Sequence, residues 1–264
     1  MTSLNKANVN KGTKFIMGKR VTVRVTGTYK VNGEDRRKHT VNCGYICTEN
    51  ESVERTAFVV GVEQPLSEYT GDIIAVIKNR ETRKESWVIA PGGFIMYEPA
   101  LAQLLGQFVD KQACSFICLY EKSCGAVLYT EEFDVRKFLL IKNMSGHIGF
   151  PKGHVEYGEN ERVTAEREVW EETGVHTKVE QGFREFYNYS VNSFVKKQAV
   201  YFVAPFKTSD IEMNIREISE YLLVTFDEGM KVLNYPHDRS ILSKADKFIT
   251  QTHSPEGSCC DESK

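Results

Sequence analysis

Glutamates crowd one short segment of the chain, residues 153–175, which reads GHVEYGENERVTAEREVWEETGV. Within it, Glu168, Glu171 and Glu172 follow the i, i+3 and i+4 spacing that places side chains on one face of a helix. Carboxylates this close repel one another unless a cation lies among them or water solvates the face. Ligand sets made only of oxygen favour Mg²⁺ or Mn²⁺ over zinc. The segment therefore predicts a divalent-metal site, with an ordinary solvated helix as the alternative.

The flanking residues predict where this helix begins and ends. Asn160 suits the N-cap, and Gly174 suits the position just past the last turn. Val163 and Trp170 lie seven residues apart, so we expect them to share one buried stripe. The glycine-rich loop before the helix, FPKGHVEYGE, can bring backbone carbonyls and Lys152 close to the same metal and to a phosphate.

The order and spacing of the residues in this segment resemble the signature of the Nudix hydrolases. Five residues separate the first glycine from a glutamate, and seven more precede an Arg-Glu pair. The matching residues are Gly153, Glu159, Arg167, Glu168, Glu171, Glu172 and Gly174. The pattern of strands and helices over about residues 116–250 also resembles this family. The resemblance implies an α/β fold, a Nudix α/β/α sandwich.

The resemblance also implies a reaction. Nudix enzymes cleave a nucleoside diphosphate linked to another group, and water attacks one phosphorus of the pyrophosphate bridge. Magnesium ions suit this reaction because charge develops on both the attacking and the leaving oxygens. Carried onto this chain, Glu168, Glu171 and Glu172 would hold the metal, and Glu168 could instead orient or deprotonate the water. Arg167 would pair with Glu159 and fix the loop on the helix.

Two further metal ligands are implied in the same way. The backbone carbonyl of Lys152 would supply one of them. Members of the family often use one more acid from a distant loop, and the segment NIREISEYLLVTF offers Glu217 or Glu220. We favour Glu217, and a solvated loop acid is the alternative for each.

Residues around the signature resemble the asymmetric diadenosine tetraphosphate hydrolases. That group has a similar Lys-Gly-His-Val-Glu stretch and a tyrosine-containing strand followed by a lysine and another tyrosine. The implied substrate-binding residues are Lys152, His154, Tyr189, Lys197 and Tyr201. Tyrosine can stack on adenine and lysine can meet the phosphates, whereas core positions and a structural loop histidine are the alternatives. The expected products of diadenosine tetraphosphate are ATP and AMP.

Charge and hydropathy limit the partners. The formal net charge of −2 provides no overall basic field to attract nucleic acid or an acidic membrane. No apolar run approaches the roughly 20 residues that a membrane-spanning helix needs. We therefore expect a small nucleotide as the substrate. A nucleotide-sanitising hydrolase, an enzyme that removes pyrophosphate from RNA 5′ ends, and a sensor that binds nucleotides without turnover remain alternatives.

Cysteine usage bears on the compartment. The seven cysteines show no metal-ligand spacing, and the first residues, MTSLNKANVNKGTKF, contain no apolar signal core. An odd number of cysteines without such a signal predicts free thiols in a reducing cytoplasm.

Short strand-like runs separated by turn residues precede about residue 115 and predict a small, mainly β barrel. Residues 17–105 resemble the family I inorganic pyrophosphatases. The stretch NCGY at residues 42–45 has a cysteine where that family has a tyrosine, and no aspartate cluster follows. Glu51 and Glu54 are the nearby acids. The resemblance therefore implies a barrel without its metal site.

These patterns together divide the chain into three parts. We predict a catalytically inactive, pyrophosphatase-like barrel over residues 1–115, a Nudix domain over residues 116–250 and a flexible tail over residues 251–264. The barrel could serve packing, substrate delivery or the formation of a homo-oligomer.

Overall fold

A computed structural model of the chain describes residues 16–32, 38–46, 55–132, 135–156, 158–192, 195–212 and 217–253. Glu51 and Glu54 lie outside these residues, as does most of the predicted tail. The division of the chain at residues 115 and 250 stays a prediction, and the last helix continues to His253.

The chain folds into two compact units. The first comprises residues 1–122, 156–158 and 188–198, and the second comprises residues 123–155, 159–187 and 199–264. Among the described residues, no helix combines the length and apolar character needed to cross a membrane.

The first unit contains a ring-like sheet. Its elements are β1 (Arg20–Asn32), β2 (Lys38–Ile46), β3 (Arg55–Val59), β4 (Glu68–Asn79), β5 (Glu85–Ala90), α1 (Glu98–Leu104) and β6 (Cys114–Cys118). The strands pair in the order β1-β2-β3-β5-β4, and β1 also pairs with β4, which closes the ring. β6 pairs with Ala75–Asn79 of β4, on the edge opposite β5 and beyond the part that pairs with β1. This arrangement agrees with the predicted mainly β barrel.

β-branched residues of this sheet are buried on both of its faces. In β4, Ile73 and Val76 pack into one apolar cluster, whereas Ile74 and Ile77 pack into another. A β-bulge between Ile73 and Ala75 shifts the alternation of side chains along the strand. Both clusters thus contain residues from a single strand.

The second sheet carries the acidic segment. The remaining elements are β7 (Tyr120–Glu132), β8 (Val135–Asn143), β9 (Ile148–Gly149), β10 (Lys152–His154), α2 (Glu161–Thr173), β11 (Glu185–Ser190), β12 (Lys196–Pro205), β13 (Ile218–Val224), α3 (Phe226–Val232) and α4 (Pro236–His253). The strand order is β11-β12-β7-β8-β13, with β10 paired to β7 and β9 paired to β8.

Helices cover both faces of this second sheet. Ala165 and Val169 of α2 belong to the apolar cluster that contains Leu128 of β7. The next residue, Tyr129, points to the opposite face, and its hydroxyl lies 3.2 Å from Nε2 of His253 in α4. The arrangement is an α/β/α sandwich, which confirms the predicted fold class.

Local signals fix the two ends of α2. The side chain of Asn160 accepts hydrogen bonds from the backbone N–H groups of Arg162 and Val163. Gly174 has φ = 75°, a left-handed conformation that favours glycine, and its N–H donates to the carbonyl of Trp170. Both predicted caps are therefore present.

The predicted buried stripe of α2 is wrong. Val163 and Trp170 are 46% and 47% exposed. The buried positions are instead Thr164, Ala165, Glu168, Val169 and Thr173. Small and β-branched side chains let the helix approach the sheet closely, and this orientation turns the two large apolar residues outward. Trp170 stacks on His176 with ring centroids 5.4 Å apart.

Candidate active site

The three glutamates of the helix differ in their surroundings. Glu168 is 9% exposed, Glu172 is half-buried and Glu171 is exposed. One guanidinium nitrogen of Arg167, Nη1, donates to Glu168 at 2.8 Å and to Glu171 at 2.9 Å. Glu172 accepts a 2.8 Å hydrogen bond from the backbone N–H of Lys152 in β10. The carboxylates thus lie beside the glycine-rich loop, as the sequence predicts.

Arg167 joins the helix to the preceding loop. Its Nε and Nη2 donate to the two carboxylate oxygens of Glu159 at 2.6 and 2.9 Å, and Nη2 also donates to the carbonyl of His154 at 2.9 Å. The buried hydroxyl of Thr164 donates to the same Glu159 carboxylate at 2.7 Å. These bonds hold the loop against the first turns of the helix.

Gly153 is the point of closest approach between the loop and the helix. A Cβ atom at this position would lie 2.0 Å from the carboxylate carbon of Glu168. Gly153 sits in β10, opposite Cys124 of β7, so the backbone cannot move away without breaking the strand pairing. Only glycine therefore allows the Glu168 carboxylate to occupy this space.

Burial raises the pKa of two of these carboxyl groups. The pKa of Glu168 rises to about 7, mainly because of burial, although the Arg167 charge opposes the shift. The pKa of Glu172 rises to about 8 for the same reason, although the Lys152 charge opposes it. The negative charge of Glu217 adds to both shifts. Carboxyl groups with raised pKa values are suited to proton transfer near neutral pH.

The two candidate distant acids lie in different places. Because the Glu217 charge acts on both Glu168 and Glu172, Glu217 lies near the acidic cluster. Glu220 is part of β13, and its carboxylate lies 3.4 Å from the ammonium group of Lys142. Glu220 thus has an ion-pair partner of its own, and Glu217 remains the favoured prediction for the distant acid.

The donor set fits a hard cation such as Mg²⁺. Glu168, Glu172 and Glu217 offer carboxylate oxygens, the charge of Glu217 acts on the other two, and burial leaves Glu168 and Glu172 poorly solvated. As the side chains stand in the described residues, no three His, Cys, Asp or Glu side chains are arranged to hold a metal ion. Arg167 instead pairs with Glu168 and Glu171.

The predicted substrate residues belong to different parts of the fold. Lys152 and His154 lie in β10, at the acidic cluster. Tyr189 and Lys197 belong to segment 188–198, which groups with the first unit. Tyr201 is only 1% exposed, because Tyr187 stacks on it and Phe150 packs edge-on against it. This burial agrees with the alternative of a core strand position for Tyr201, and its role in substrate binding stays a prediction.

Sequence reasoning missed a group of rings near Lys152. Burial lowers the pKa of His147, and the nearby positive charge of Lys152 lowers it further. His147 contacts Tyr235, which is 49% exposed and stacks on His237. The motif NYPHDR at residues 234–239, in which a tyrosine and a histidine lie two positions apart, was the available signal. Exposed rings of this kind can stack on a planar ligand.

A separate hollow of about 600 Å³ lies on the outer face of α2. Val163, Trp170 and His176 contribute to its lining. Arg167 also lines it, whereas Glu168 and Glu172 do not.

Comparison with known proteins identifies the domain that holds this cluster. Residues 119–245 match the family model described as NUDIX domain, which confirms the predicted Nudix resemblance and the prediction of a Nudix enzyme. An asymmetrical bis(5′-nucleosyl)-tetraphosphatase of Rattus norvegicus is 29% identical over 143 residues, covering 50% of this chain and 97% of that protein. The corresponding protein of Sus scrofa is 29% identical over 140 residues, covering 48% of this chain and 95% of that protein.

Solved structures give matches of similar extent. A crystal structure of a C. elegans Ap4A hydrolase binary complex is 25% identical, with a TM-score of 0.47, and covers 50% of this chain and 98% of that one. A crystal structure of a MutT protein from Methanosarcina mazei Go1 is 24% identical, with a TM-score of 0.42, and covers 49% of this chain and 94% of that one.

Proposed function

Because residues 119–245 form a NUDIX domain, we propose that this chain is a Mg²⁺-dependent pyrophosphohydrolase that cleaves diadenosine tetraphosphate to ATP and AMP. The observation that carries the proposal is the pair of desolvated carboxyl groups, Glu168 and Glu172, beside Lys152. The curated relatives, which are named as asymmetrical tetraphosphatases, support the substrate class.

The metal would be held by Glu168, Glu172 and Glu217, with Glu171 and the carbonyl of Lys152 as further ligands. Bound there, Mg²⁺ would neutralise the negative charge that develops at the pyrophosphate bridge. Mn²⁺ has similar ligand preferences and is the expected substitute.

The chain's own groups have distinct tasks in this proposal. Glu168 binds the metal or instead orients the attacking water and accepts its proton, and its burial suits it to either task. The Lys152 ammonium group attracts the phosphate chain. Arg167 keeps the loop and the helix in register through its paired bonds to Glu159. Tyr235 offers a half-exposed ring face for an adenine.

The test compares Glu168→Gln with Glu220→Gln in the full chain. The first variant keeps the side-chain shape but removes a buried carboxylate, so turnover of diadenosine tetraphosphate should fall roughly 10²–10⁴-fold. Glu220 lies in β13 beside Lys142, and its variant should keep wild-type turnover. Product analysis should give ATP and AMP, because water attacks away from the middle of the phosphate chain.

A substrate panel separates this proposal from its alternatives. It should include dinucleoside polyphosphates, nucleoside triphosphates, nucleotide sugars and triphosphorylated RNA, compared by kcat/KM. Formation of two ADP molecules would contradict asymmetric cleavage. Tight nucleotide binding without turnover would identify a sensor, and normal turnover in Glu168→Gln would exclude the role given to Glu168.

A further inference from the structure

The segment that starts α4 contains a series of contacting rings that the chemistry above does not explain. Tyr235 and His237 are nearly parallel, with centroids 5.4 Å apart at 10°. His237 lies 3.9 Å from Tyr187, and Tyr187 stacks on Tyr201 at 5.9 Å. His147 contacts the other end of the series, with its centroid 5.1 Å from that of Tyr235. We call these five residues the ring array.

The ring array runs from the core to solvent beside the candidate active site. Tyr201 is buried, Tyr187 and His237 are half-buried, and Tyr235 is exposed. His147, which contacts Tyr235, directly precedes β9, and β10 begins at Lys152 a few residues later. The outer rings of the array therefore pack against the loop that leads to the residue proposed to meet the phosphate chain.

One buried acid holds the middle of the array. Asp238 is 2% exposed, and its Oδ1 accepts a 3.1 Å hydrogen bond from the hydroxyl of Tyr187. Asp238 lies in the first turn of α4, where the helix dipole favours a negative charge. Its charge also acts on His147 and raises the pKa of that histidine, against the larger effect of burial.

Arg239, which follows Asp238, fixes the backbone just before Tyr235. Nη1 of Arg239 donates to the carbonyl of Leu233 at 2.6 Å and to that of Asn234 at 3.4 Å. These carbonyls directly precede Tyr235, so the turn between α3 and α4 is tied to the first turn of α4. Arg239 thus holds the backbone before Tyr235, while Asp238 holds the Tyr187 side chain that contacts His237.

Stability alone is a weak explanation for Asp238. Burying a carboxylate costs free energy, and a hydrogen bond from a neutral phenol offsets that cost only in part. A hydrogen bond of this kind does, however, hold the phenol end of Tyr187 in place. Since the Tyr187 ring lies 3.9 Å from His237, the position of Tyr187 limits where the outer rings can lie.

We propose that Asp238 is a positioning residue for the substrate. Through Tyr187 it orients His237 and Tyr235, whose outer faces contact a planar end group of the nucleotide. The inference rests on the proposed function, and it adds a determinant of specificity that does not touch the substrate itself.

The test measures kcat and KM for Asp238→Ala, Asp238→Asn and Tyr187→Phe with diadenosine and diuridine tetraphosphates. Asp238→Ala and Tyr187→Phe should each raise the KM for the adenine substrate roughly 3–10-fold, the size expected for one aromatic contact, with little change in kcat. The KM for the uridine substrate should change less, because a pyrimidine stacks on a smaller area. Asp238→Asn should restore most of the adenine KM, since its amide oxygen accepts the same hydrogen bond.

Two controls make the result specific. Tyr221→Phe changes an exposed tyrosine of β13 and should leave both KM values unchanged. The double variant Asp238→Ala/Tyr187→Phe should be no worse than either single variant, because both remove one hydrogen bond. Additive losses, or equal falls in kcat for both substrates without a change in KM, would overturn the inference.

Failure of the proposed function can be told apart from failure of this inference. If the wild-type chain does not hydrolyse diadenosine tetraphosphate, the proposed function is wrong, and the dissociation constant for AMP is measured instead. Weaker AMP binding by Tyr187→Phe, in a chain that unfolds at the wild-type temperature, would still support the role of Asp238. Equal AMP binding by wild type, Tyr187→Phe and Asp238→Ala would overturn it.

Discussion

Glu172 accepts a hydrogen bond from the Lys152 backbone and still has a raised pKa, because burial removes the water that would solvate its charge. In the unfolded chain, Glu172 and Glu168 are hydrated and titrate near the ordinary value of 4.5. Between about pH 4.5 and about pH 8, the folded protein therefore holds protons that the unfolded chain has released. Stability without metal must fall as pH rises through this window.

We predict that the metal-free protein loses stability between about pH 5 and about pH 8, by on the order of 1–3 kcal/mol. Urea unfolding in the presence of a chelator measures this loss. Glu172→Gln removes one titrating group and should reduce the pH dependence, whereas Glu220→Gln should preserve it. Mg²⁺ should restore stability at the upper end of the window. A wild-type profile that is flat or rises with pH would contradict the prediction.

Substitution of Gly153 tests the close approach of loop and helix. The Cβ of Gly153→Ala would lie 2.0 Å from the Glu168 carboxylate, so this carboxylate must shift. Because displacement of a catalytic group by about 1 Å can cost about 10²-fold in rate, kcat should fall by roughly that factor. Gly92→Ala is the matched control, since its added methyl would meet Asp72 at an ordinary 3.4 Å. A wild-type kcat in Gly153→Ala would show that the Glu168 carboxylate can move aside without loss of activity, which would contradict the prediction.

At the residue scale, the family resemblance was a better guide than periodicity. The resemblance to the Nudix signature implied the ion pair of Glu159 and Arg167, which the structure contains although Glu159 lies in the loop before α2. Periodicity could not show that Trp170 faces outward, because it gives the angle between residues and not the direction of the sheet. The burial of Tyr201 likewise depends on Tyr187, which lies on another strand.

The N-cap of α2 is the clearest determinant of an element. Asn160→Ala removes the acceptor for the N–H groups of Arg162 and Val163, and should lower the free energy of unfolding by about 1 kcal/mol. Asn160→Asp keeps an acceptor oxygen and should be close to wild type. Chemical denaturation of the three proteins measures the difference. Equal stability of Asn160→Ala and wild type would mean that solvent replaces the cap without cost.

Elements with strong local signals were the predictable ones. The caps of α2 could be read directly from Asn160 and Gly174. The short helix α3 was missed, although Thr225 and Glu228 form a capping box that such a reading could have found. The pairing of β10 with β7 could not be predicted, since it joins residues distant in sequence.

At the scale of the whole molecule, the first unit raises the question of a second activity. Its resemblance to inorganic pyrophosphatases remains a prediction, and Glu51 and Glu54 lie outside the described residues. Asn42 is fully buried, accepts a hydrogen bond from Thr28 and donates one to the carbonyl of Gln64. These bonds commit the asparagine to the packing of the barrel.

We predict that the full chain does not hydrolyse free inorganic pyrophosphate. That reaction requires several carboxylates to hold more than one Mg²⁺, and the sequence after residues 42–45 has no aspartate cluster. The assay should use Glu168→Gln, so that the acidic cluster of α2 cannot contribute. Phosphate release at an enzymatic rate in this variant would assign a second catalytic site to the first unit.

The strands of the barrel could be predicted from their composition, but the closed ring could not. Alternating and β-branched residues identify β1 and β4 as strands. Closure depends on the pairing of Arg20–Arg24 with Glu68–Asp72, across more than forty residues of sequence. Such pairing is decided by the packing of the whole unit rather than by local preference.

The outward position of Trp170 gives the chain a spectroscopic property. The chain has two tryptophans. Trp87 is buried in β5 beneath the guanidinium of Arg55. Trp170 is about half exposed to solvent and stacks on His176. Their fluorescence should therefore differ in emission wavelength and in quenching by iodide. Since Trp170 lies two residues from both Glu168 and Glu172, its emission offers a way to follow cation binding without an added label.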